Sequence, residues 1–362
     1  MTRTSRVGSH GRQGYVILLA GPWQGLDGYV SASRPICIAG AGSVGCFVGG
    51  VLAAAGRDVA LLTRPRIVDA IARDGLSLTS FEGGRWHLQP GQIGPSDDPA
   101  IMNRAGIVLV TVKSGDTAAM AELIAQHAPA DAAIISLQNG VGNVAVLKDA
   151  LPGRHVLGGM VPFNVVTRQD GTVHRATSGA LVIERDADNT GTQVATPDLP
   201  VNLTDDIAGV QWGKLLLNLG NALNALSDLP LHAQLKQRVW RTLFADQIAE
   251  GLAVLRAAGI KPVATTMPPW LMPHLLRMPD RLFGLVLQRV MKIDANARSS
   301  MWEDLQRGRS TEIDYLQGVL LQLAQRYGIA APLMQRVAAM VKIAEGEQRG
   351  SPALSAQQIR GV

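Results

Sequence analysis

Lys214, Asn218 and Asn221 stand at i, i+4 and i+7 in Trp212-Gly-Lys-Leu-Leu-Leu-Asn-Leu-Gly-Asn221. A helix would set all three on one face, a polar face inside an otherwise apolar segment. A lysine between Trp212 and Leu215, Leu216 and Leu217 is partly desolvated, which weakens its hold on the proton and makes it a better acid. When hydride reaches a carbonyl carbon the oxygen becomes an alkoxide, and an ammonium so placed can stabilise and protonate it. The asparagines can orient a substrate or hold a sugar hydroxyl. The residues alone leave a second reading open, a solvated face with a snorkelling lysine.

Hydride transfer needs a carrier, and an earlier stretch offers a place for one. In Ile36-Cys-Ile-Ala-Gly40-Ala41-Gly42-Ser43-Val44-Gly45 an apolar run meets a G-x-G-x-x-G, and small residues continue in a helical pattern past Phe47 and Ala53. The pattern predicts strand, tight turn and helix. Gly40 permits the turn, Gly42 lets the backbone approach a pyrophosphate, and Gly45 lets the helix pack on the sheet. The phosphates would sit on N–H groups at the helix N-terminus. A second apolar run, Asp58-Val-Ala-Leu-Leu-Thr63, completes a βαβ unit of about thirty residues. It ends in Thr63-Arg64-Pro65-Arg66, without the carboxylate that would hold an unmodified ribose. A guanidinium suits a 2′-phosphate, so the expected cofactor is NADPH/NADP+, with Arg64 first and Arg66 second.

Further along, Ile107-Val-Leu-Val-Thr-Val112 reads as a buried parallel strand and ends at Lys113; the run 133–137 repeats the pattern and ends at Asn139-Gly140. Ligands of such sheets bind beyond the carboxyl ends of the strands, which makes Lys113 and Asn139 candidates for the cofactor. Loop solvation and turn formation are the competing roles for these two. Residues 67–74 read as a helix, 76–80, 85–88, 155–157, 160–166, 172–175 and 180–184 as short strands, and 187–203 as a polar segment closing the first domain. From Ile207 long amphipathic patterns take over, with stripes at Phe244, Ile248, Leu252 and Leu255 and at Ile313, Leu316, Leu320, Leu323 and Tyr327. The expected fold is an α/β Rossmann-type domain (35–205) followed by an all-α domain (206–348). Residues 1–34 form an N-terminal extension, read as disordered although it mimics a short signal peptide, and 349–362 a tail.

The whole composition agrees with an enzyme of this class. The chain has 362 residues, 47% of them apolar and 17% charged, and a formal net charge of +5 without a long basic run. Aromatics make up 4% and do not interleave with basic residues, which argues against a nucleic-acid surface. No transmembrane span, disulfide framework or metal-ligand spacing is evident, so cytoplasmic residence and no metal are expected.

A second polar cluster lies at Ser299-Ser300-Met-Trp-Glu-Asp304 and Thr311-Glu312-Ile-Asp314. By itself it also fits a helix start, with Thr311 or Ser310 as cap. Together, however, these parts resemble the ketopantoate reductase (2-dehydropantoate 2-reductase) family over about residues 35–345. The resemblance rests on the glycine turn, Arg64, Val112-Lys113, Asn139-Gly140-Val141-Gly142, Trp212-Gly213-Lys214-Leu215 with Asn218, and the S-S-M…D…T-E-I-D segment. It implies a Rossmann domain, an all-α domain like that of 6-phosphogluconate dehydrogenase, and an active site in the cleft. NADPH would reduce a branched 2-oxo acid, 2-dehydropantoate to pantoate in pantothenate and coenzyme A biosynthesis. Lys214 would be the general acid with Glu312 beside it, while Asn218, Asn221, Ser300 and Asp304 bind substrate. Residues 40–45 (Gly40, Ala41, Gly42, Ser43, Val44, Gly45), Arg64, Lys113 and Asn139 would bind cofactor. A small-molecule 2-oxo acid is the expected partner, and a second copy of the chain a candidate one. The family's second asparagine, eight residues after the lysine, is here Ala222, and the segment 268–279 with Trp270 and His274 is longer than expected and a candidate lining of the cleft. A different 2-oxo or 3-oxo acid, or a non-catalytic NADP(H)-binding sensor, are the competing functions.

Overall fold

β-branched and aliphatic runs account for the centre of the molecule. In the computed structural model, which describes residues 34–264, 267–290 and 297–361, β1 (Ile36–Ala39) is flanked by β2 (Val59–Leu62) and by β6 (Ile107–Val110). All four residues of β1 and of β6 are buried, as a strand covered on both faces requires. Outward from β2 lies β5 (Gly94–Ser96); outward from β6 come β7 (Ala133–Ser136), β8 (Val156–Met160), β11 (Leu181–Glu184) and β12 (Val201–Thr204). Pairing is parallel throughout this eight-stranded sheet except between β8 and β11. A smaller sheet runs β4 (Arg85–Leu88), β3 (Leu76–Ser80), β10 (Val173–Arg175) and β9 (Val165–Thr167). Against the sheets pack α1 (Ser43–Ala54), α2 (Pro65–Asp74), α3 (Thr117–His127) and α4 (Asn143–Ala150). Because β1 has β2 on one side and β6 on the other, the strand order reverses beside it, and a crevice opens at the carboxyl ends.

Helices follow from Ile207 onward: α5 (Ile207–Ser227), α6 (Leu231–Lys236), α7 (Arg238–Ala257), α8 (Met272–Leu276), α9 (Asp280–Val290), α10 (Ser300–Gln306), α11 (Ile313–Tyr327), α12 (Pro332–Glu347) and α13 (Ala356–Arg360). The Asp206 carboxylate caps α5 by accepting from Gly209 N–H at 2.8 Å. One side of α5, through Leu215, Leu216 and Leu219, packs on Val254, Leu255, Leu320 and Met334. Its later turns, through Ala222, Leu223 and Leu226, pack on Trp240, Leu243, Met301 and Val337. A helix apolar on so much of its surface must be central, and its few polar residues must face something other than the core. The first turn of α5 closes on the sheet, with Ile207 and Val210 against Met160.

Several sequence expectations change in the folded chain. Residues 160–166 do not make one strand: β8 ends at Met160 and β9 begins at Val165, because Pro162 has no N–H for a ladder. The segment 187–203, read only as polar, has regular structure. It carries a 3₁₀ turn (Thr190–Val194) and the edge strand β12, and buries Val194, Leu199 and Val201. Its polar content is consumed locally, for example by Asp186 accepting from Thr190 N–H at 2.7 Å. Residues 349–361, read as a tail, include α13, started by a Ser355–Gln358 capping box and anchored by the buried Ile359. Tyr327, placed on a core stripe, is exposed. Trp270 and His274 are exposed, while Leu276 and Phe283 pack on Ala245 and Ile248 of α7. Cys37 and Cys46 are buried free thiols, both pushed up to about 12 by burial. The expectation for residues 1–34 lies almost wholly outside the described residues. No helix among the described residues is long and apolar enough to cross a membrane.

Candidate active site

The glycine turn is built for an anion. Gly40 holds φ +87°, and a Cβ there would run into Val112. Gly45 lets α1 lie on the sheet, since a Cβ would come within 2.5 Å of Thr111 Oγ1 and 2.8 Å of Ile38 Cγ2. At Gly42, the N-cap, a Cβ would have nothing within 4 Å, so the space before the helix is open. The cap offers no side chain, and the first turn contains no acid. Among the described residues no acceptor meets the N–H groups of Ser43, Val44 and Gly45. Three free donors at a positive helix end facing open space fit the pyrophosphate of a dinucleotide. Thr63 ties the end of β2 to the turn, its hydroxyl donating to Ala41 O at 2.7 Å.

Arg64 caps α2 at the end of β2. Burial weakens its hold on the proton, and the like charges of Arg66, Arg309 and Arg307 weaken it further. The last two come from the connection between α10 and α11.

On α5, Lys214 Nζ donates to Pro162 O at 3.3 Å, and burial brings its pKa down from 10.5 to about 8. One turn on, Asn218 is 5% exposed and its Nδ2 is buried with no hydrogen-bond partner. A buried amide left unpaired costs about 1–3 kcal/mol, a cost that a ligand oxygen would remove. Asn221 is half-buried, and its backbone oxygen accepts from Ser299 Oγ at 3.1 Å. Ala222 is fully buried among core residues, so the position of the family's second asparagine adds no polar group to this face. Asn224 serves the fold, donating to Leu229 O and accepting from Ser299 N–H.

The second polar cluster joins the two halves of the chain. Lys113 Nζ lies 2.8 Å from Asp304 Oδ2 and donates to Ser310 O at 2.8 Å. Glu312 accepts from Ser114 N–H at 3.0 Å and from its hydroxyl at 3.1 Å. Burial raises the carboxyl's pKa, against the lowering effect of the Ser114 hydrogen bonds and of Lys113. Glu312 is therefore more than the helix-start acid that its sequence also fits: its carboxylate reaches across to the other half. Ser299, not Ser300, caps α10, accepting from Trp302 N–H at 3.1 Å; the half-buried Ser300 side chain makes no hydrogen bond among the described residues. Asn139 contributes its backbone oxygen, which accepts from Ser114 Oγ and Asn143 Nδ2.

Proximity thus splits the expected residues into three groups: the turn with Arg64, the α5 face, and the Lys113–Asp304 and Ser114–Glu312 contacts. No hydrogen bond or ion pair links Lys214 to Glu312 among the described residues. Sequence reasoning missed Pro162, Ser114, Arg307 and Arg309. Pro162 interrupting an apolar run was a usable signal; for the others the sequence offers none, since each acts through a partner far along the chain.

Comparison with known proteins follows the same division. Residues 36–187 match the family model "Ketopantoate reductase PanE/ApbA", and residues 206–345 its C-terminal counterpart. A 2-dehydropantoate 2-reductase of Halobacterium salinarum is 28% identical over 322 residues, covering 86% of this chain and 98% of that protein. Among solved structures, a PanE/ApbA family ketopantoate reductase from Ralstonia eutropha JMP134 superposes with TM-score 0.72 at 31% identity, covering 87% of this chain and 99% of the other. D-mandelate dehydrogenase bound to NADH and anilino(oxo)acetate shares the fold, with TM-score 0.70 at 20% identity and coverage of 87% and 99%. With both halves matched in order and along nearly the full described length, this chain belongs to the ketopantoate reductase family.

Proposed function

We propose that the protein reduces a branched 2-oxo acid with NADPH, most simply 2-dehydropantoate to pantoate. The observation that carries this is the α5 face: a half-buried lysine whose desolvation lowers its pKa to about 8, one turn before a buried amide that lacks a partner. The family match and the reductases among its relatives support it. Bound NADPH would supply the hydride at the substrate carbonyl carbon. The free N–H groups of Ser43, Val44 and Gly45 and the guanidinium of Arg64 would hold its phosphates. Lys214 would stabilise the developing alkoxide and pass it the Nζ proton, being regenerated from solvent, while Asn218 Nδ2 donates to a substrate oxygen. Pro162 O keeps the ammonium aimed until substrate arrives. An activity that draws on NADPH belongs where that cofactor is kept reduced, which favours the cytoplasm.

The test is loss of NADPH absorbance with 2-dehydropantoate, wild type beside Lys214→Ala. Turnover that falls roughly a hundredfold or more in kcat in the variant supports the role of the lysine. Cofactor binding without turnover of any oxo acid would point to the sensor reading instead. Ala222 in the core favours one second reading, a different 2-oxo acid, which a substrate panel ranked by kcat/KM decides.

A further inference from the structure

The segment between α10 and α11 lies across the mouth of the proposed cofactor site. Arg307 Nη2 donates to Thr167 O at 2.9 Å, and the Thr167 hydroxyl meets Ser43 Oγ, the first residue of α1, at 2.8 Å. Three residues on, Ser310 O accepts from Lys113 at the end of β6. Arg309 lies between these two anchors. Its Nε is buried without a hydrogen-bond partner but forms an ion pair with Asp304 Oδ1 at 3.5 Å, a carboxylate already engaged by Lys113, and Arg307 pairs with Glu303 Oε2 at 3.6 Å. Arg64 and Arg66, just after β2, are exposed, and no ion pair to a carboxylate is made by either among the described residues. The N-terminus of α2 at Arg64 has no side-chain cap and no acid in its first turn.

Arg64, Arg66, Lys113, Arg307 and Arg309 outnumber Asp304 and Glu303, the carboxylates that pair with the last three, and an anion joining the cationic groups would relieve their mutual repulsion. Arg64 registers that repulsion from Arg309 and Arg307 as well as from Arg66. A phosphomonoester brings a charge of about −1.5 to −2 and three acceptor oxygens, and guanidinium forks match such oxygens better than any other side chain.

We propose that Arg309 is a specificity-determining residue that reaches over from the helical half to bind the ribose 2′-phosphate of the cofactor opposite Arg64. Arg307, hooked onto Thr167, anchors the segment that presents it. Recognition of the phosphorylated cofactor is then made across the cleft, and it draws the two halves together as the cofactor binds. This rests on the NADPH reading of the site and adds to it a residue outside the nucleotide-binding half.

The experiment is calorimetric titration of the full chain with 2′,5′-ADP and with 5′-ADP, ligands that differ only in the phosphate concerned. Wild type is expected to prefer 2′,5′-ADP by about tenfold or more. Arg309→Met should lose most of that preference while binding 5′-ADP within about twofold of wild type, and Arg309→Lys should keep part of it. Arg309→Met weakening both ligands alike, or leaving the preference intact while Arg64→Met abolishes it, overturns the inference and leaves the NADPH reading standing. A wild type that does not distinguish the two ligands removes the NADPH reading and this inference with it.

Discussion

The backbone N–H of Ser114 donates to the carboxylate of Glu312 at 3.0 Å, across 198 residues of chain. Beside it, Lys113 and Asp304 form an ion pair at 2.8 Å across 191 residues. Two consecutive residues at the end of β6 thus hold the helical half where α5 can present Lys214 to the sheet edge. Glu312→Ala removes the partner of a part-buried N–H and is expected to lower stability by about 1–3 kcal/mol. Ser114→Ala keeps the N–H contact but removes the hydroxyl's bonds to Glu312, Asn139 O and Asn143 Nδ2 and should cost about 1–3 kcal/mol. Denaturant melts of the two variants check both ranges; a loss in Glu312→Ala well below that range would show that its contacts with Ser114 contribute nothing.

The Lys113–Asp304 pair is half-exposed on the lysine side, so its direct contribution to stability is expected to be small, about 0–1 kcal/mol. A double-mutant cycle with Lys113→Ala and Asp304→Ala measures it. A coupling well above that range would assign the pair a larger role in holding the halves together.

Gly42 and Gly45 should separate binding from folding. Gly45→Ala drives a methyl into Thr111 and Ile38 and should destabilise by about 1–3 kcal/mol, the usual cost of overpacking. Gly42→Ala meets no protein atom and should melt close to wild type, yet bind NADPH at least about tenfold more weakly if a phosphate occupies that space. Thermal melts and cofactor titration of both variants test the pair of outcomes; unchanged affinity in Gly42→Ala would place the phosphates elsewhere.

Lys214, the proposed acid, should make activity and stability depend on pH in opposite senses. With its pKa brought down to about 8, the ammonium proposed as acid is lost above that value, so kcat for reduction should fall there. For stability, the pKa is lower folded (about 8) than unfolded (10.5), so between these values the unfolded chain holds more protons and stability rises with pH. Lys214→Met should therefore raise Tm at neutral pH, with the gain shrinking toward pH 10.5. A gain independent of pH would mean that burial of the charge is not its source.

Ala222→Asn restores the asparagine spacing of the family but places an amide at a fully buried position of an apolar cluster. Burying an unpaired amide there is expected to cost about 1–3 kcal/mol, and the variant should gain no activity toward 2-dehydropantoate. Higher kcat/KM at unchanged stability would show that position 222 faces the substrate after all.

Short-range order was legible in the chain itself. The alternation of β3 and β4, the buried run of β6 and the turn at residues 40–45 depend on contacts within a few residues or on a backbone conformation only glycine adopts cheaply. The α5 face was legible for the same reason, since 3.6-residue periodicity alone puts Lys214 and Asn218 on one side. Residues whose roles depend on distant partners were not. Pro162 marks a break in an apolar run but does not name Lys214 as the partner of its carbonyl, and nothing near Ser114 names Glu312. The stretch 187–203 read only as polar because its few apolar side chains are spaced irregularly, and pairing with β11 makes its end the strand β12. Pairing across 191 or 198 residues is decided when cores on both sides are packed, because the geometry of a salt bridge or hydrogen bond is set by where whole helices and strands come to rest.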